Sequence, residues 1–207
     1  MRKVLIRIGD FDPIHYGHLF GAANILRIGL ADEIWFVPSG KENWSVPHGK
    51  VFYRDHEATP EDRFTMCKLA VDHFFTPKLP VSVKNPDPYG NFLYTSEIIE
   101  ILERNFPGRE FYVLIGSDHY PEFLSWKSVP RMILEERPGY PMPPKSEVPS
   151  NFRTLSLSDQ SYICTNISST MIRRLLGEGK SIEGLTPVPV VNYILENGIY
   201  RPRICSE

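Results

Sequence analysis

Little in this chain points to a membrane, a disulfide framework or a broad anion-binding face. Its three cysteines, Cys67, Cys164 and Cys205, are odd in number and widely scattered. They form no C-x-x-C redox or metal motif and no disulfide lattice, so a reducing, cytoplasmic setting is expected. No apolar run approaches the ~20 residues that a spanning helix needs. Met1-Arg2-Lys3 leads straight into an apolar stretch, without the h-region and cleavage site of a signal peptide. Lysine and arginine total 23 against 25 acidic residues, a formal charge of −2, which argues against a nucleic-acid or anionic-membrane binder. Any recognition of phosphate has to be local. Internal repeats and low-complexity segments are absent as well, and 207 residues suffice for one substantial α/β domain.

What the chain does have is concentrated at its start. Val4 to Ile8 is a short, β-branched apolar run that reads as a buried strand. Leu19 to Leu30 has apolar residues at helical spacing, with Gly29 near the stop. Between them lies Gly9-Asp10-Phe11-Asp12-Pro13-Ile14-His15-Tyr16-Gly17-His18. Strand, turn and helix in that order present helix N-terminal amides at the carboxyl edge of a sheet, where the helix dipole favours an anion. Two imidazoles three residues apart add donors for developing negative charge.

Further strands are expected at Glu33–Val37, Leu79–Val83, Glu110–Ile115, Met132–Glu136 and Phe152–Leu157. Helices are expected from Thr59-Pro60-Glu61-Asp62 to Phe75, over Tyr94–Asn105, as a short stretch before Trp126, over Ser168–Leu176 and over Val188–Asn197. Gly177 and Gly198 are read as the stops of the last two. Residues 39–58 read as a long irregular loop. The alternation implies a Rossmann-like α/β fold: a doubly wound, mostly parallel sheet with a small C-terminal helical region. Residues 1–207 are expected to form one domain, of which 167–207 is the helical C-terminal part.

A second phosphate signal lies at Thr165-Asn166-Ile167-Ser168-Ser169-Thr170-Met171-Ile172-Arg173-Arg174. Hydroxyls open a helix and Arg173 lies about one turn in, an arrangement that suits a polyphosphate. Read alone, it is equally a plain Ser/Thr cap on an amphipathic helix.

Taken together the two stretches resemble the G-x-F-D-P-x-H-x-G-H and I-S-S-T-x-I-R motifs of the nucleotidyltransferase superfamily, in particular the nicotinate mononucleotide adenylyltransferases. The resemblance spans nearly the whole chain. It includes Val37-Pro38-Ser39-Gly40 with Pro47-His48 and Lys50, Arg63, Tyr94-Thr95, Ile115-Gly116-Ser117-Asp118 with Trp126-Lys127, Arg137-Pro138-Gly139-Tyr140, and Gly198-Ile199-Tyr200. It implies adenylyl transfer from ATP, with Mg²⁺ arriving on the nucleotide, to nicotinate or nicotinamide mononucleotide. On that reading His15 and His18 meet the α-phosphate, while Ser168, Thr170 and Arg173 hold the far end of the triphosphate. Gly9, Phe11, Gly116, Asp118 and Ile167 complete the ATP site. Asp10, His48, Lys50, Tyr94, Thr95, Trp126 and Arg137 receive the mononucleotide, with Lys50 also serving catalysis and no residue binding metal directly. Two other readings stay open: transfer to another phosphorylated acceptor such as phosphopantetheine, and a non-catalytic nucleotide-binding regulator. Whether the chain forms a homo-oligomer is open too.

The chain departs from the family pattern in three places. Ile8-Gly9-Asp10 stands where Gly-Gly-Thr/Ser is usual, so a carboxylate replaces a hydroxyl near the mononucleotide phosphate. The P-H-K loop carries an extra Gly49, and Asn91-Phe92-Leu93 precedes Tyr94 where a Ser is usual.

Overall fold

The computed structural model describes residues 1–38, 44–45, 51–52, 58–85, 95–117, 120, 131–137, 139–156 and 162–200, with 44–45 and 51–52 described as backbone only. Among these, β1 (Arg2–Gly9), β2 (Glu33–Pro38), β5 (Val81–Val83), β6 (Arg109–Gly116), β7 (Met132–Glu135) and β8 (Phe152–Leu155) form one sheet in the order β5-β2-β1-β6-β7-β8. Every neighbouring pair is parallel. The expected doubly wound sheet is present. Its strand order reverses between β1 and β6, the place where such sheets bind ligands beyond the strand carboxyl ends.

Near-continuous apolar runs make these strands suitable for burial on both faces, and the alternation of side chains divides them cleanly. Leu5, Phe36, Tyr112, Leu114 and Ile133 pack with α1 (Tyr16–Ile28), α2 (Pro60–Phe74), α4 (Ser169–Gly177) and α5 (Val188–Asn197). Val4, Ile6, Trp35, Val37, Phe111, Val113 and Met132 pack on the other face with α3 (Thr95–Asn105). Within the stretch expected as a loop, β3 (Trp44–Ser45) pairs antiparallel with β4 (Val51–Phe52), while residues 39–43, 46–50 and 53–57 lie outside the described residues.

The helix ends show the chemistry of their caps. Thr59 accepts from the Asp62 amide while Asp62 reaches back to the Thr59 amide, with Pro60 at the first position, as its sequence signature predicts. Gly29 and Gly198 close α1 and α5 in the left-handed region, at φ 74° and 62°. Gly177 is not a stop. α4 runs through it, and the reversal falls at Gly179, φ 67°, whose amide donates to Leu176 O. Glycine is tolerated within a last turn, so its presence alone does not mark the boundary.

α1 begins three residues earlier than apolar spacing predicts, at Tyr16, with His15 as its N-cap. The reason is local. The His15 amide donates to His18 Nδ1 at 3.3 Å, so the second imidazole caps the helix in the way a Glu or Gln usually does.

Candidate active site

The turn from Asp10 to Ile14 emerges from β1 at the reversal point. Phe11 adopts φ 50°, uncommon for a bulky residue, and the Asp12–Pro13 peptide is cis. The Phe11 side chain is 3% exposed and folds back over Gly9, where a Cβ would lie 3.3 Å from its ring. Its ring meets His18 edge-on at 5.0 Å between centroids and Phe36 at 5.7 Å. Phe11 is therefore a packing residue, and any contact it makes with a ligand is through its backbone.

Four carbonyls of this turn are held from elsewhere in the chain. Arg63 of α2, fully buried, donates Nη1 to Asp10 O at 2.8 Å. Arg173 donates to Asp12 O at 2.5 Å, Ser169 Oγ to Pro13 O at 2.9 Å, and Thr186 Oγ1 to Ile14 O at 2.7 Å. The Tyr16 amide donates to Leu185 O. The Asp12 carboxylate is 3% exposed and accepts from the Tyr200 hydroxyl, whose pKa is raised far above its ordinary value by burial and by Asp12 itself. Tyr200 consequently stays protonated and remains a donor.

The two sequence motifs thus meet. Ser168 caps α4 by accepting from the Met171 amide at 3.1 Å, Ser169 and Arg173 bind the turn, and Thr170 Oγ1 lies 3.4 Å from Arg173 Nη2. The Arg173 side chain keeps 30% exposure, while Ser168 and Thr170 are exposed, so this helix end presents hydroxyls and a guanidinium edge beside the histidines. Ile167 is half-buried against the core.

His15 and His18 stack, with ring centroids 3.7 Å apart and planes 28° apart. Because His18 Nδ1 accepts the His15 amide, its proton belongs on Nε2. Burial pushes the His15 pKa down to about 3, with the Arg7 and Arg137 guanidiniums acting in the same direction. Burial likewise holds His18 well below its usual value, helped by His15, Arg7 and Arg137. Both imidazoles are neutral at physiological pH. They can donate to a phosphate oxygen without giving up a proton. Gly17 allows this packing, since a Cβ there would stand 2.9 Å from Thr165 Oγ1 and 3.0 Å from His15 Nδ1.

Across the reversal point, β6 ends in Gly116-Ser117. Ser117 Oγ accepts from the Arg137 amide at 2.9 Å and donates to Tyr140 O at 2.6 Å. A turn closed by the Tyr140 amide on Arg137 O, with Gly139 at φ 83°, follows β7 and carries Arg137 to the same edge. Gly9, Asp10, Gly116, Arg137, both histidines and the start of α4 all lie at this end of the sheet. Thr95 begins α3 on the opposite face. His48, Lys50, Tyr94, Asp118 and Trp126 lie outside the described residues.

Tyr200, in the Gly198-Ile199-Tyr200 match, holds the turn, a role the match does not assign, and three further contributors belong to no motif: Thr186, which also holds the turn, and Arg7 and Glu135. The last two carry a signal of their own, because each is a charge inside or closing a strand that otherwise reads as buried.

Among the described residues no helix is long and apolar enough to cross a membrane. Among them, too, no group of three or more His, Cys, Asp or Glu side chains is arranged to hold a metal ion.

The cytidylyltransferase-like family matches residues 6–175. A Thermus thermophilus protein named probable nicotinate-nucleotide adenylyltransferase is 33% identical over 199 residues, covering 93% of this chain and 96% of its own length. One of the same name from Frankia alni is 32% identical, covering 94% and 98%. In fold, the chain resembles a Plasmodium falciparum nicotinic acid mononucleotide adenylyltransferase solved with NaAD, at a TM-score of 0.75 and 18% identity, over 97% of this chain and 98% of that one.

Proposed function

The chain belongs to the cytidylyltransferase-like family, among its nicotinate-nucleotide adenylyltransferases, and from that footing we propose that it transfers the adenylyl group of ATP to nicotinate mononucleotide. The products are the dinucleotide of NAD biosynthesis and pyrophosphate. The observation that carries the reading is the union of two phosphate-binding motifs 150 residues apart: α4 is fastened by Ser169 and Arg173 onto the turn that presents His15 and His18. A reaction that must hold both an α-phosphate and a departing pyrophosphate needs two such grips side by side.

An oxygen of the mononucleotide 5′-phosphate attacks the α-phosphorus of ATP in line. A P–O bond forms there as the bond to the β-phosphate oxygen breaks. That oxygen is already ionised at neutral pH, so no general base is required, and the protein contributes alignment and charge stabilisation. Neutral His18, donating from Nε2, with His15 stacked behind it, meets the charge that develops on the α-phosphate and bridging oxygen. Ser168, Thr170 and Arg173 take the departing end, and Lys50 and His48 bring a cation to the phosphates. Mg²⁺ enters as part of the substrate, MgATP. Asp118 receives the adenosine ribose, the backbones of Gly9 and Gly116 border the nucleotide at the carboxyl edge of the sheet, and Arg137 serves the mononucleotide phosphate. Trp126 and the Tyr94-Thr95 segment receive the pyridine.

The test is pyrophosphate release from MgATP with nicotinate mononucleotide, nicotinamide mononucleotide and phosphopantetheine supplied separately. Turnover with a pyridine mononucleotide is expected. Turnover with phosphopantetheine alone would move the chain to another acceptor, and ATP binding without turnover on any of the three would make it a regulator.

A further inference from the structure

Two charged residues occupy places that the strand pattern reserves for apolar ones. Arg7 lies within β1 and Glu135 closes β7, and they are 5% and 0% exposed. By alternation Arg7 follows Leu5 and Glu135 follows Ile133, so both point to the face that α1 covers. β6 runs between their strands. Its residue in register with Glu135 is Gly116, which offers no side chain and leaves a passage from β1 to β7. Above that passage lies Gly21 of α1, where a Cβ would stand 2.7 Å from Arg7 Nη1 and 3.1 Å from Glu135 Oε1. On its other side Glu135 Oε2 lies 3.1 Å from Arg137 Nη2. Glu135 raises the pKa of Tyr162, as burial does, so the Tyr162 proton stays in place.

A buried carboxylate is tolerable only when its charge is compensated. Arg137 alone would suffice for that, but the pair would be neutral and Arg137 would have little left for a ligand. Arg7 changes the balance. Two guanidiniums against one carboxylate leave one net positive charge, and Arg137 is where it surfaces, its side chain 31% exposed against 1% for Glu135. Burial lowers the Arg7 pKa to about 10, with Glu135 acting in the opposite direction, so Arg7 remains charged at neutral pH. The fields of both arginines reach the two histidines, which places the cluster beside the phosphate turn.

We propose that Glu135, backed by Arg7, is a positioning residue: it fixes the Arg137 guanidinium beside the histidine turn, while Arg7 leaves the charge of that guanidinium free for the mononucleotide phosphate. The inference rests on the adenylyl-transfer reading above and names a part of its acceptor site.

Steady-state kinetics, with ATP and nicotinate mononucleotide varied in turn, test it on the full chain. Glu135→Gln by itself strands the buried Arg7 charge, so the informative variants are Arg7→Met with Glu135→Met, which removes both buried charges, and Glu135→Asp, which keeps the charge but draws it back from Arg137. Each is expected to raise the mononucleotide KM by about tenfold, the scale of one charge-assisted contact, and the ATP KM by less than about twofold. Added to Arg137→Ala, neither change should raise the mononucleotide KM further, because its route of action is already gone. A mononucleotide KM unchanged in both variants, equal rises in both KM values, or rises that add to that of Arg137→Ala would overturn the positioning role. Absence of wild-type turnover would instead overturn the adenylyl-transfer reading itself.

Discussion

His18 donates from one ring nitrogen only because its other nitrogen is committed to capping the helix it stands on. The same contact aims the ring, so replacing it costs both a donor and a cap. His18→Ala is expected to lower kcat by ~10²-fold or more, the usual effect of removing one charge-stabilising donor, and near-normal turnover would refute the assignment. His15 makes a separate prediction through pH. Its folded pKa, about 3, lies below its unfolded value of 6.5. Between those values the unfolded chain binds a proton that the fold refuses, so stability falls as pH drops from 6.5 towards 3, by up to about 1.4 kcal/mol per pH unit for each such histidine. Urea midpoints at pH 7, 6, 5 and 4 should show this decline, and His15→Asn should make it shallower; an unchanged slope would sink the account. At this scale the histidines are legible in the sequence, because their spacing with Gly17 and Phe-Asp-Pro leaves few other uses. Phe11 is less so. A motif names a position without saying whether side chain or backbone faces the ligand, and here the ring is committed to His18, Phe36 and Gly9. Arg7 and Glu135 are legible as anomalies, but nothing in the string says that β1 and β7 bring them together around Gly116.

Elements are easier to read than their junctions. Apolar runs and caps locate each strand and helix of the main sheet to within a few residues, since burial on two faces and capping chemistry are local demands. The attachment of α4 to the phosphate turn is a tertiary matter. Arg173 reads as a ligand for the triphosphate, and its guanidinium is also fastened within the protein, Nη1 donating to Asp12 O and Nη2 to Thr170 Oγ1. Ser169, between the two residues assigned to ATP, does the fastening. Ser169→Ala should therefore cost about 1 kcal/mol, the scale of one hydrogen bond, in thermal or urea unfolding. It should also lower kcat/KM for ATP, and a variant indistinguishable from wild type in both would show that the contact carries nothing. Gly17→Ala is more severe, because the added methyl falls between Thr165 and His15. It is expected to disrupt the stacked pair and reduce kcat at least as far as His18→Ala, with secondary structure by circular dichroism unchanged.

As a whole the molecule hangs the turn at residues 12–16 on residues 185–200. Thr186 holds Ile14, Leu185 holds Tyr16, Tyr200 holds Asp12, and Tyr193 of α5 donates to Asp62 of α2 at 2.8 Å. We propose on this ground that residues 1–207 fold as one domain, with the C-terminal helices an integral part of it. Calorimetry should show a single transition, and Tyr200→Phe, which deprives a buried carboxylate of a donor, should lower its midpoint by several degrees. Two resolved transitions would separate the helical part. The doubly wound order is legible from alternating strands and helices, but the long-range latches are not, because contacts spanning nearly 190 residues leave no local trace. They bear on how the protein comes into being. Synthesis runs from the amino end, so both histidines emerge about 150 residues ahead of the groups that shape their turn. A nascent chain stalled or cleaved before residue 169 would carry the signature and lack the geometry. Nucleotide consumption would then be silent until residues 169–200 are in place, so copies broken off before them would cost the cell amino acids but no ATP turned over at their site.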